Sequence, residues 1–382
     1  MKKVFVTDGL APATPAILES LFRSSYRVYV GESFSLNASF FSKFCSGKFV
    51  YPNPEVDKVN FVIKLRNYLK MMRINYLIPV SSKVIDAILS SGIDLSSEGI
   101  HFLLPDYDTW LIAEYKHKTL KIAEELGISM PVTVFDPSLS YQELVQRLFT
   151  PFIIKVSKSD GARGVLRVTS EREFNEYIAK CKSKCFQYFF QELIPLGGKS
   201  MNASYLYDKN GVIKAWFLME KVRQYPIKGG STSYSKSVYD ENILNIGKNL
   251  LDRIGWRGVA EVEFIQDPRT MQWVLMEINP RFWNPLLLAI KSGVNYPALI
   301  MDLIDNRSIQ PMLQYSHEIR FSFFPYELIN LLKGNAKSVI MDMITKKSYD
   351  NYLKRSDPGL FWGLVVQSIY LMISRSEYIK LR

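Results

Sequence analysis

The chain has 382 residues, with 48 Lys and Arg against 37 Asp and Glu, which gives a formal net charge of +11. This length allows two or three domains, and 47% hydrophobic against 22% charged residues excludes a disordered or collagen-like chain. Three histidines, and three cysteines without a C-x-x-C pair, argue against a zinc site, so we expect oxygen ligands for any metal. Met1-Lys2-Lys3 leads directly into a β-type run rather than a signal peptide, which predicts a cytoplasmic protein.

Residues 1–110 alternate short β-type runs with helical stretches, which is typical of a doubly wound α/β domain with a mostly parallel sheet. The predicted strands lie at 3–7, 26–30, 49–51, 76–80 and 101–104, with helices at about 15–23, 55–73 and 82–91. The first strand ends at Thr7-Asp8-Gly9, where a dinucleotide-binding fold would carry three glycines. A Rossmann cofactor site is therefore not predicted.

A helical pattern over 109–126 ends at Gly127, and Pro131 follows shortly, which marks the start of a new unit. Further strands are predicted at 152–156, 165–168, 189–193, 201–208, 213–223, 259–266 and 273–278, with a helix at about 170–182. Antiparallel strands with helices predict an α+β domain over this part of the chain. Residues 316–382 are predicted to form a helical extension.

A polar loop with two glycines joins the predicted strands 152–156 and 165–168. Lys155 lies on the strand before it, and the loop contains Lys158, Gly161, Arg163 and Gly164. Backbone amides freed by glycine, with Lys and Arg alongside, can bind a polyphosphate, although an ordinary hairpin with solvated charges is the alternative. Neither this loop nor Gly197-Gly198-Lys199-Ser200 has Walker A spacing, which excludes a P-loop fold.

Acidic residues recur on two later strands. Because side chains alternate along a strand, Glu261 and Glu263 share one face, as do Glu277 and Asn279. If the connection brings Glu263 opposite Glu277, two carboxylates and an amide oxygen converge, which is the ligand chemistry of Mg²⁺. A solvated hairpin face is the alternative, but Glu277 lies between two apolar residues and next to an Asn-Pro-Arg turn, which favours a functional site.

The order of these motifs resembles the ATP-grasp superfamily. The motifs are Lys116 before a Gly-Ile-x-x-Pro stop, Lys155 before the glycine loop, Gln191-Glu192-Leu193-Ile194-Pro195, Glu263, and Glu277-Ile278-Asn279-Pro280-Arg281. The chain looks closest to relatives of the carbamoyl phosphate synthetase large subunit and to carboxylate-amine ligases, over about residues 1–310. The implied fold is an ATP-grasp domain over 111–315, with a first lobe at about 111–188 and a second at about 189–315, preceded by the α/β domain and followed by the helical extension.

The resemblance implies a role for each matching residue. The implied ATP contacts are Lys116, Lys155, Ser157, Gly161, Arg163, Gly164, Val165, Gln191, Glu192, Leu193, Ile194 and Ser200. Glu263, Glu277 and Asn279 would ligate one or two Mg²⁺ ions, with Mn²⁺ as a substitute, and Arg281 would hold the transferring phosphoryl group. The acidic ribose contact of many members is replaced by Gly198-Lys199-Ser200, so Ser200 and Glu192 are both candidates for that contact.

A second glycine motif follows the long strand that ends near Arg223. Arg223, Gly229, Gly230 and Ser231 would bind the acceptor or an acyl phosphate, as in the ligase-like relatives, while a flexible surface loop is the alternative. Trp283 and Asn284 would either pack the core or line the acceptor pocket.

The implied function is an ATP- and Mg²⁺-dependent ligase that activates a carboxylate as an acyl phosphate and couples it to an amine, forming an amide or peptide-like bond. Lys155, Arg223 and Arg281 would stabilise the transferred group. An ATP-grasp kinase and a nucleotide-binding regulatory protein without turnover are the alternatives. The partners would be small-molecule acids and amines, and a homodimer is left open. Nucleic acid is not favoured, because arginine clusters with interleaved aromatic residues are lacking.

The C-terminal segment has a composition of its own. Residues 331–382 carry 9 basic and 4 acidic side chains, a balance of 9 − 4 = +5. The apolar run from Leu360 to Ile373 is 14 residues long, shorter than the roughly 20 that a spanning helix needs. Packing on the main body is the first interpretation, and a helix lying at an anionic membrane surface is the alternative.

Overall fold

The computed structural model describes residues 1–159, 164–226, 229–332, 336–345 and 348–373. The N-terminal strands β1 (Lys3–Val6), β2 (Arg27–Glu32), β3 (Cys45–Val50) and β4 (Tyr76–Ile78) form a parallel sheet in the order β3-β2-β1-β4. They are accompanied by the helices α1 (Thr14–Arg23), α2 (Lys58–Met72) and α3 (Ser82–Ser90) and by a 3-10 helix over Ala38–Phe41. The predicted parallel α/β architecture is confirmed, but the strand expected at 101–104 is reduced to a single bridge between His101 and Tyr76.

The helix predicted over 109–126 is divided in two, α4 (Tyr107–Glu114) and α5 (Lys116–Glu125). Tyr115 between them is extended, with φ −93° and ψ 104°. This break frees the backbone amide of Lys116, which donates to the carbonyl oxygen of Ser157 at 2.9 Å. Lys116 therefore lies at the start of α5, directly beside the glycine loop.

The first of the two later sheets is small and antiparallel. Its strands β5 (Thr133–Val134), β6 (Phe152–Val156), β7 (Val165–Val168) and β8 (Tyr188–Glu192) have the order β5-β8-β6-β7, and α6 (Tyr141–Leu148) and α7 (Glu171–Ser183) accompany them. Phe152, Ile154 and Phe190 pack into one core on one face, which leaves Lys155 and its partner Phe189 on the other. Strand β8 belongs to this sheet, so residues up to Glu192 share it with β5, β6 and β7, while the lobe boundary at 188 stays a prediction.

The second sheet is larger and also antiparallel. Its strands are β9 (Ser200–Tyr207), β10 (Ile213–Tyr225), β11 (Ser231–Val238), β12 (Gly258–Gln266), β13 (Trp273–Asn279) and β14 (Arg320–Ser322), in the order β13-β12-β9-β10-β11-β14. The helices α8 (Glu241–Ile254), α9 (Leu286–Lys291) and α10 (Tyr296–Ile304) belong to the same part of the chain, and their buried apolar residues join its core. Strand β14 comes from the predicted helical extension, so that extension also contributes to the sheet.

The C-terminal extension contains α11 (Phe324–Leu332), α12 (Ala336–Thr345) and α13 (Pro358–Ile373). Helix α13 packs against the 3-10 helix of the N-terminal domain, where its Gly359 and Gly363 lie against Phe41. This packing agrees with the first interpretation of the segment. Within the described ranges, no helix combines the length and the apolar character needed to cross a membrane.

Candidate active site

The register of β12 on β13 brings the acidic residues together. Glu263 lies opposite Glu277, and Glu261 lies opposite Asn279. Directly opposed residues of an antiparallel pair have their side chains on the same face, with Cβ atoms about 5 Å apart. The register on which the predicted convergence depends, with Glu263 opposite Glu277, is therefore present, and Glu261 lies on the same face.

Hydrogen bonds from Asn279 connect the two glutamates of β12. Its Nδ2 donates to Oε1 of Glu263 at 2.9 Å and to Oε2 of Glu261 at 3.3 Å. Its Oδ1 accepts from Nη2 of Arg281 at 3.2 Å. Arg281 also donates to the carbonyl oxygen of Phe282 at 2.9 Å, which holds its guanidinium beside the cluster.

The two glutamates of β12 differ in protonation. Burial and, after it, the negative charge of Glu263 together raise the pKa of Glu261 to about 8. Burial also opposes ionisation of Glu263, but the charge of Lys221 and the hydrogen bonds from Lys221 and Asn279 outweigh it, so its pKa is below the usual value. Near pH 7, Glu263 therefore carries the charge and Glu261 retains its proton.

Two buried lysines approach the cluster from the other lobe. Nζ of Lys116 lies 3.5 Å from Oε2 of Glu277, and Nζ of Lys155 donates to the carbonyl oxygen of Met276 at 3.2 Å. Burial lowers the pKa of Lys155 to about 8, although Glu277 opposes the shift, and the positive charge of Lys116 adds to it. The structure thus brings together both predicted phosphate-binding lysines and the predicted metal ligand Glu277.

A third lysine was not anticipated. Nζ of Lys221 on β10 lies 3.4 Å from Oε2 of Glu263. Burial opposes its charge, but the three glutamates outweigh burial and raise its pKa. A lysine within a long β-type run gives no sign of this role, because the contact depends on the pairing of β10 with β9, where Lys221 lies opposite Ser200.

The summed charge of the cluster is positive. Its cations are Lys116, Lys155, Lys221 and Arg281, and its carboxylates are Glu261, Glu263 and Glu277. Because Glu261 is largely protonated near pH 7, four cationic groups face two ionised carboxylates. Such a site attracts an anion of high charge, and its lysines and arginine have the donors that phosphate oxygens require.

The donor atoms fit a hard divalent cation. Oε1 of Glu261 and Oδ1 of Asn202, which lies opposite Glu263, are buried and have no hydrogen-bond partner within the described residues. Carboxylate and amide oxygens are the ligands of Mg²⁺. In the described part of the chain, no group of three His, Cys, Asp or Glu side chains is placed to hold a metal. Asn279 now points its nitrogen at the glutamates, and a half-turn of the amide would present its oxygen.

The other predicted nucleotide contacts are distributed over the first lobe and the segment that follows β8. The Nδ1 of His117 contacts Oγ of Ser157. Gln191 is buried and donates to Thr133 at 2.9 Å. Leu193 and Ile194 follow β8 and are half-buried, whereas Val165, at the start of β7, is exposed. Gly164 directly precedes β7, while Gly161 and Arg163 lie outside the described residues.

The two candidates for the ribose contact differ in their surroundings. Glu192 accepts from the backbone amide of Val132 at 2.9 Å and forms an ion pair of 2.8 Å with Arg269. Ser200 lies opposite Lys221, at the edge of the carboxylate cluster. Because Glu192 already has these two partners, Ser200 is the favoured candidate for the ribose contact.

Arg223 was predicted to bind the acceptor or an acyl phosphate. In the structure it faces away from the carboxylate cluster. Lys221 pairs with Ser235 but Arg223 with Tyr234, so a β-bulge lies between them and turns Arg223 away from the face of Lys221. The guanidinium stacks over Tyr234, with Cζ 4.3 Å from the ring centroid. It also forms ion pairs with Glu327 at 2.5 Å and with Asp342.

The remaining acceptor candidates are divided between a turn and the core. Gly229, with φ +135°, and Gly230 lie in the connection between β10 and β11, and a Cβ at Gly230 would collide with the carbonyl of Tyr225. Ser231 is the first residue of β11. Trp283 is buried, with its ring centroid 4.8 Å from that of Tyr296 at a right angle, so it packs the core instead of lining a pocket. Asn284 is half-buried.

Comparison with known proteins gives a family match for part of the chain. Residues 113–285 match the family model of the ATP-grasp domain. No curated protein matches the chain in sequence. Solved structures with a similar fold nevertheless cover most of it.

Two of these structures were solved with bound nucleotides. The biotin carboxylase–β-γ-ATP complex of Campylobacter jejuni has a TM-score of 0.67 at 12% identity, covering 84% of this chain and 74% of that chain. The N5-carboxyaminoimidazole synthetase of Staphylococcus aureus, complexed with ADP, has a TM-score of 0.66 at 14% identity, with coverages of 88% and 86%.

A third similar structure is much longer. Pyruvate carboxylase of Rhizobium etli has a TM-score of 0.66 at 14% identity over 81% of this chain, which spans 29% of that chain. At these identities the likeness shows the fold. The chain therefore has the ATP-grasp fold, with its N-terminal parallel sheet and C-terminal helices, and it resembles these enzymes in fold.

Proposed function

We propose that this chain, which has the ATP-grasp fold, is an ATP- and Mg²⁺-dependent ligase that joins a carboxylate to an amine through an acyl phosphate. The observation that carries the proposal is the positively charged cluster around Glu263, Glu277 and Asn279, which two lysines of the opposite lobe approach. This cluster offers cations for a triphosphate and oxygen ligands for a metal in one place.

In the first step a carboxylate oxygen of the substrate attacks the γ-phosphorus of ATP. The bond from that phosphorus to the bridging oxygen breaks, and its electron pair leaves with ADP. A carboxylate repels a triphosphate, so Lys116, Lys155 and Arg281 must neutralise phosphate charge and align the attack. Lys221 takes the place proposed for Arg223, because its ammonium group faces the cluster. Mg²⁺ held by Glu263, Glu277 and Asn279 would supply further neutralisation of the phosphate oxygens.

In the second step the amine nitrogen attacks the acyl carbon. The carbon–oxygen bond to the phosphoryl group breaks, phosphate leaves with the electron pair, and the extra proton of the amine passes to solvent. No nucleophile of the protein is required. We propose that Gly229, Gly230 and Asn284 bind the acceptor.

Nucleotides bound to structural neighbours support this proposal. The Campylobacter jejuni enzyme was solved with β-γ-ATP and the Staphylococcus aureus enzyme with ADP. A biotin carboxylase domain from Hydrogenobacter thermophilus was solved as a dimer with MgADP and bicarbonate. We therefore include ATP, Mg²⁺ and a homodimer in the proposal for this chain. Which acid and which amine it binds depends on the residues of its own acceptor site.

The test is ADP formation by the purified chain with pooled carboxylic acids and amines, followed by mass spectrometry of the products. A ligase product has the mass of an acid plus an amine minus water. A product that instead gains a phosphoryl group identifies a kinase and contradicts the ligase proposal. If no ADP forms with broad sets of acids and amines, the result contradicts the ligase proposal and supports the alternative of a nucleotide-binding protein without turnover.

The metal assignment is tested by Glu277→Gln. Loss of a group that only supports a metal ligand lowers metal affinity or activity about 10- to 100-fold. Loss of a ligand itself should therefore lower ATP turnover at least about 100-fold, while the fold persists. The matched control is Glu55→Gln at an exposed position, which should keep full turnover. Normal Mg²⁺-dependent phosphate release by Glu277→Gln would exclude Glu277 as a metal ligand.

A further inference from the structure

Helix α13 exposes an apolar face to solvent. Trp362, Val366 and Ile369 are 63%, 41% and 53% exposed, and their spacing of four and then three residues places them on one side of the helix. A surface helix normally carries polar residues there. Gln367, one of the few polar residues of α13, instead points inward, where its Oε1 accepts from the backbone amide of Ala38 at 2.8 Å.

The opposite face of α13 already contacts the protein. Leu360 is buried, Gly363 lies against Phe41, and the ring centroids of Tyr370 and Phe34 are 5.4 Å apart. Packing of the helix onto the N-terminal domain therefore uses a different side from the one that carries Trp362. The fold itself gives no reason for three large apolar side chains on the outer side.

Acidic and basic side chains of the C-terminal extension differ in their exposure to solvent. The acidic residues of the described part of 331–373 are Asp342, Asp350 and Asp357, and all are buried. Asp342 pairs with Arg223, while Asp350 and Asp357 accept backbone amides.

The cations are on the outside. Lys337 and Arg355 are exposed, as is Lys48, whose Nζ lies 5.4 Å from the ring centroid of Phe41 beneath α13. In the sequence, residues 374–382 add three basic side chains against one acidic. Lys48 therefore places an exposed positive charge beside α13, and Arg355 lies three residues before the first residue of the helix.

We propose that α13 binds the surface of an anionic phospholipid bilayer, with Trp362, Val366 and Ile369 in the interfacial layer and the neighbouring cations on the lipid phosphates. Trp combines an apolar body with a polar tip and suits this interface, and a positive surround attracts anionic headgroups. A second copy of the chain would bring the same cations against one another, which disfavours self-association through this face. The proposal is independent of the ligase reaction.

Flotation of the full chain with vesicles tests the proposal. The protein should float with phosphatidylcholine vesicles that contain phosphatidylserine, float less as salt is raised, and remain at the bottom with phosphatidylcholine alone. The variant Trp362→Glu/Val366→Glu/Ile369→Glu should lose flotation. The matched control is Val56→Glu/Met71→Glu/Leu196→Glu, which places the same charges at positions that are 82%, 70% and 77% exposed elsewhere, and it should float like the unchanged chain.

Two further measurements make the outcome decisive. Thermal unfolding should be alike for the two triple variants, and tryptophan emission should shift to shorter wavelength on addition of anionic vesicles in the unchanged chain but not in Trp362→Phe. Failure of the unchanged chain to float at low salt, or equal flotation of both triple variants, would overturn the proposal. It would also be overturned if sedimentation without lipid shows a dimer that only the α13 variant abolishes.

Discussion

Glu261 and Glu263 lie on the same face of one strand but differ in charge. The difference comes from their neighbours, because the ammonium group of Lys221 contacts Glu263 and not Glu261. Two adjacent buried carboxylates rarely ionise together, and a nearby cation decides which of them does. The result is a cluster that retains two negative charges for a metal and four positive groups for phosphates.

The lowered pKa of Lys155 leads to a prediction about pH. Lys155 binds phosphate only in its protonated form, and the fraction protonated falls as the pH rises through about 8. We expect kcat/KM for ATP, which reports the free enzyme, to fall about tenfold per pH unit on the alkaline side of that value. The measurement is the pH profile of ADP formation.

The variant Lys155→Arg provides the check on this assignment. Arginine stays protonated throughout the range, so the alkaline fall should move to higher pH even if the maximum rate is lower. Lys121→Arg, on the exposed side of α5, should leave the profile unchanged. An alkaline fall that persists unmoved in Lys155→Arg would assign it to another group.

At the scale of elements, the bulge in β10 separates two cations that the sequence places two residues apart. Without it, Lys221 and Arg223 would point to the same side of the sheet. With it, Lys221 faces the carboxylate cluster and Arg223 contacts α11 and α12. The strand thereby serves the candidate active site and anchors the C-terminal extension.

This arrangement predicts that Arg223→Met is strongly destabilising. Loss of one partner from a buried ion pair typically costs about 3 to 5 kcal/mol, because the remaining charges stay buried and unpaired. Urea unfolding should show this loss, and Arg223→Met/Glu327→Gln/Asp342→Asn should recover most of it. A single variant as stable as the unchanged chain would show that the ion pairs do not stabilise the fold.

For the whole molecule, the C-terminal extension connects back to the N-terminal domain through polar contacts. Asp357 accepts from Oγ of Ser42 at 2.5 Å and from the backbone amide of Lys43 at 3.1 Å. Lys354 forms an ion pair of 2.7 Å with Glu19. These contacts join parts of the chain more than 300 residues apart, so the extension and the N-terminal domain should unfold together.

We therefore expect Asp357→Ala to weaken the whole fold. A buried donor left without its acceptor costs about 1 to 3 kcal/mol, and here the donors belong to Ser42 and Lys43. Urea unfolding should report this loss in a single transition. Ser42→Ala added to Asp357→Ala should cost less than Ser42→Ala alone, because the shared hydrogen bond is already absent, and full additivity would contradict the coupling.

The sequence by itself determined the local features of this protein. Alternating apolar patterns predicted most strands, and strand periodicity placed Glu277 and Asn279 on one face, because these properties depend on neighbours along the chain. The order of Lys116, Lys155 and Glu277 was enough to predict the ATP-grasp fold. The sequence also showed a basic, apolar C-terminal segment.

Only the tertiary structure decided which distant residues meet. Strand register set Lys221 against Glu263, a bulge directed Arg223 to Glu327, and folding turned Asp342, Asp350 and Asp357 inward while Trp362 remained outside. Register, bulges and burial depend on contacts between segments far apart in the chain, which strand periodicity does not encode. The balance of charge in the cluster depends on those same contacts, because burial and neighbouring ions shift each pKa.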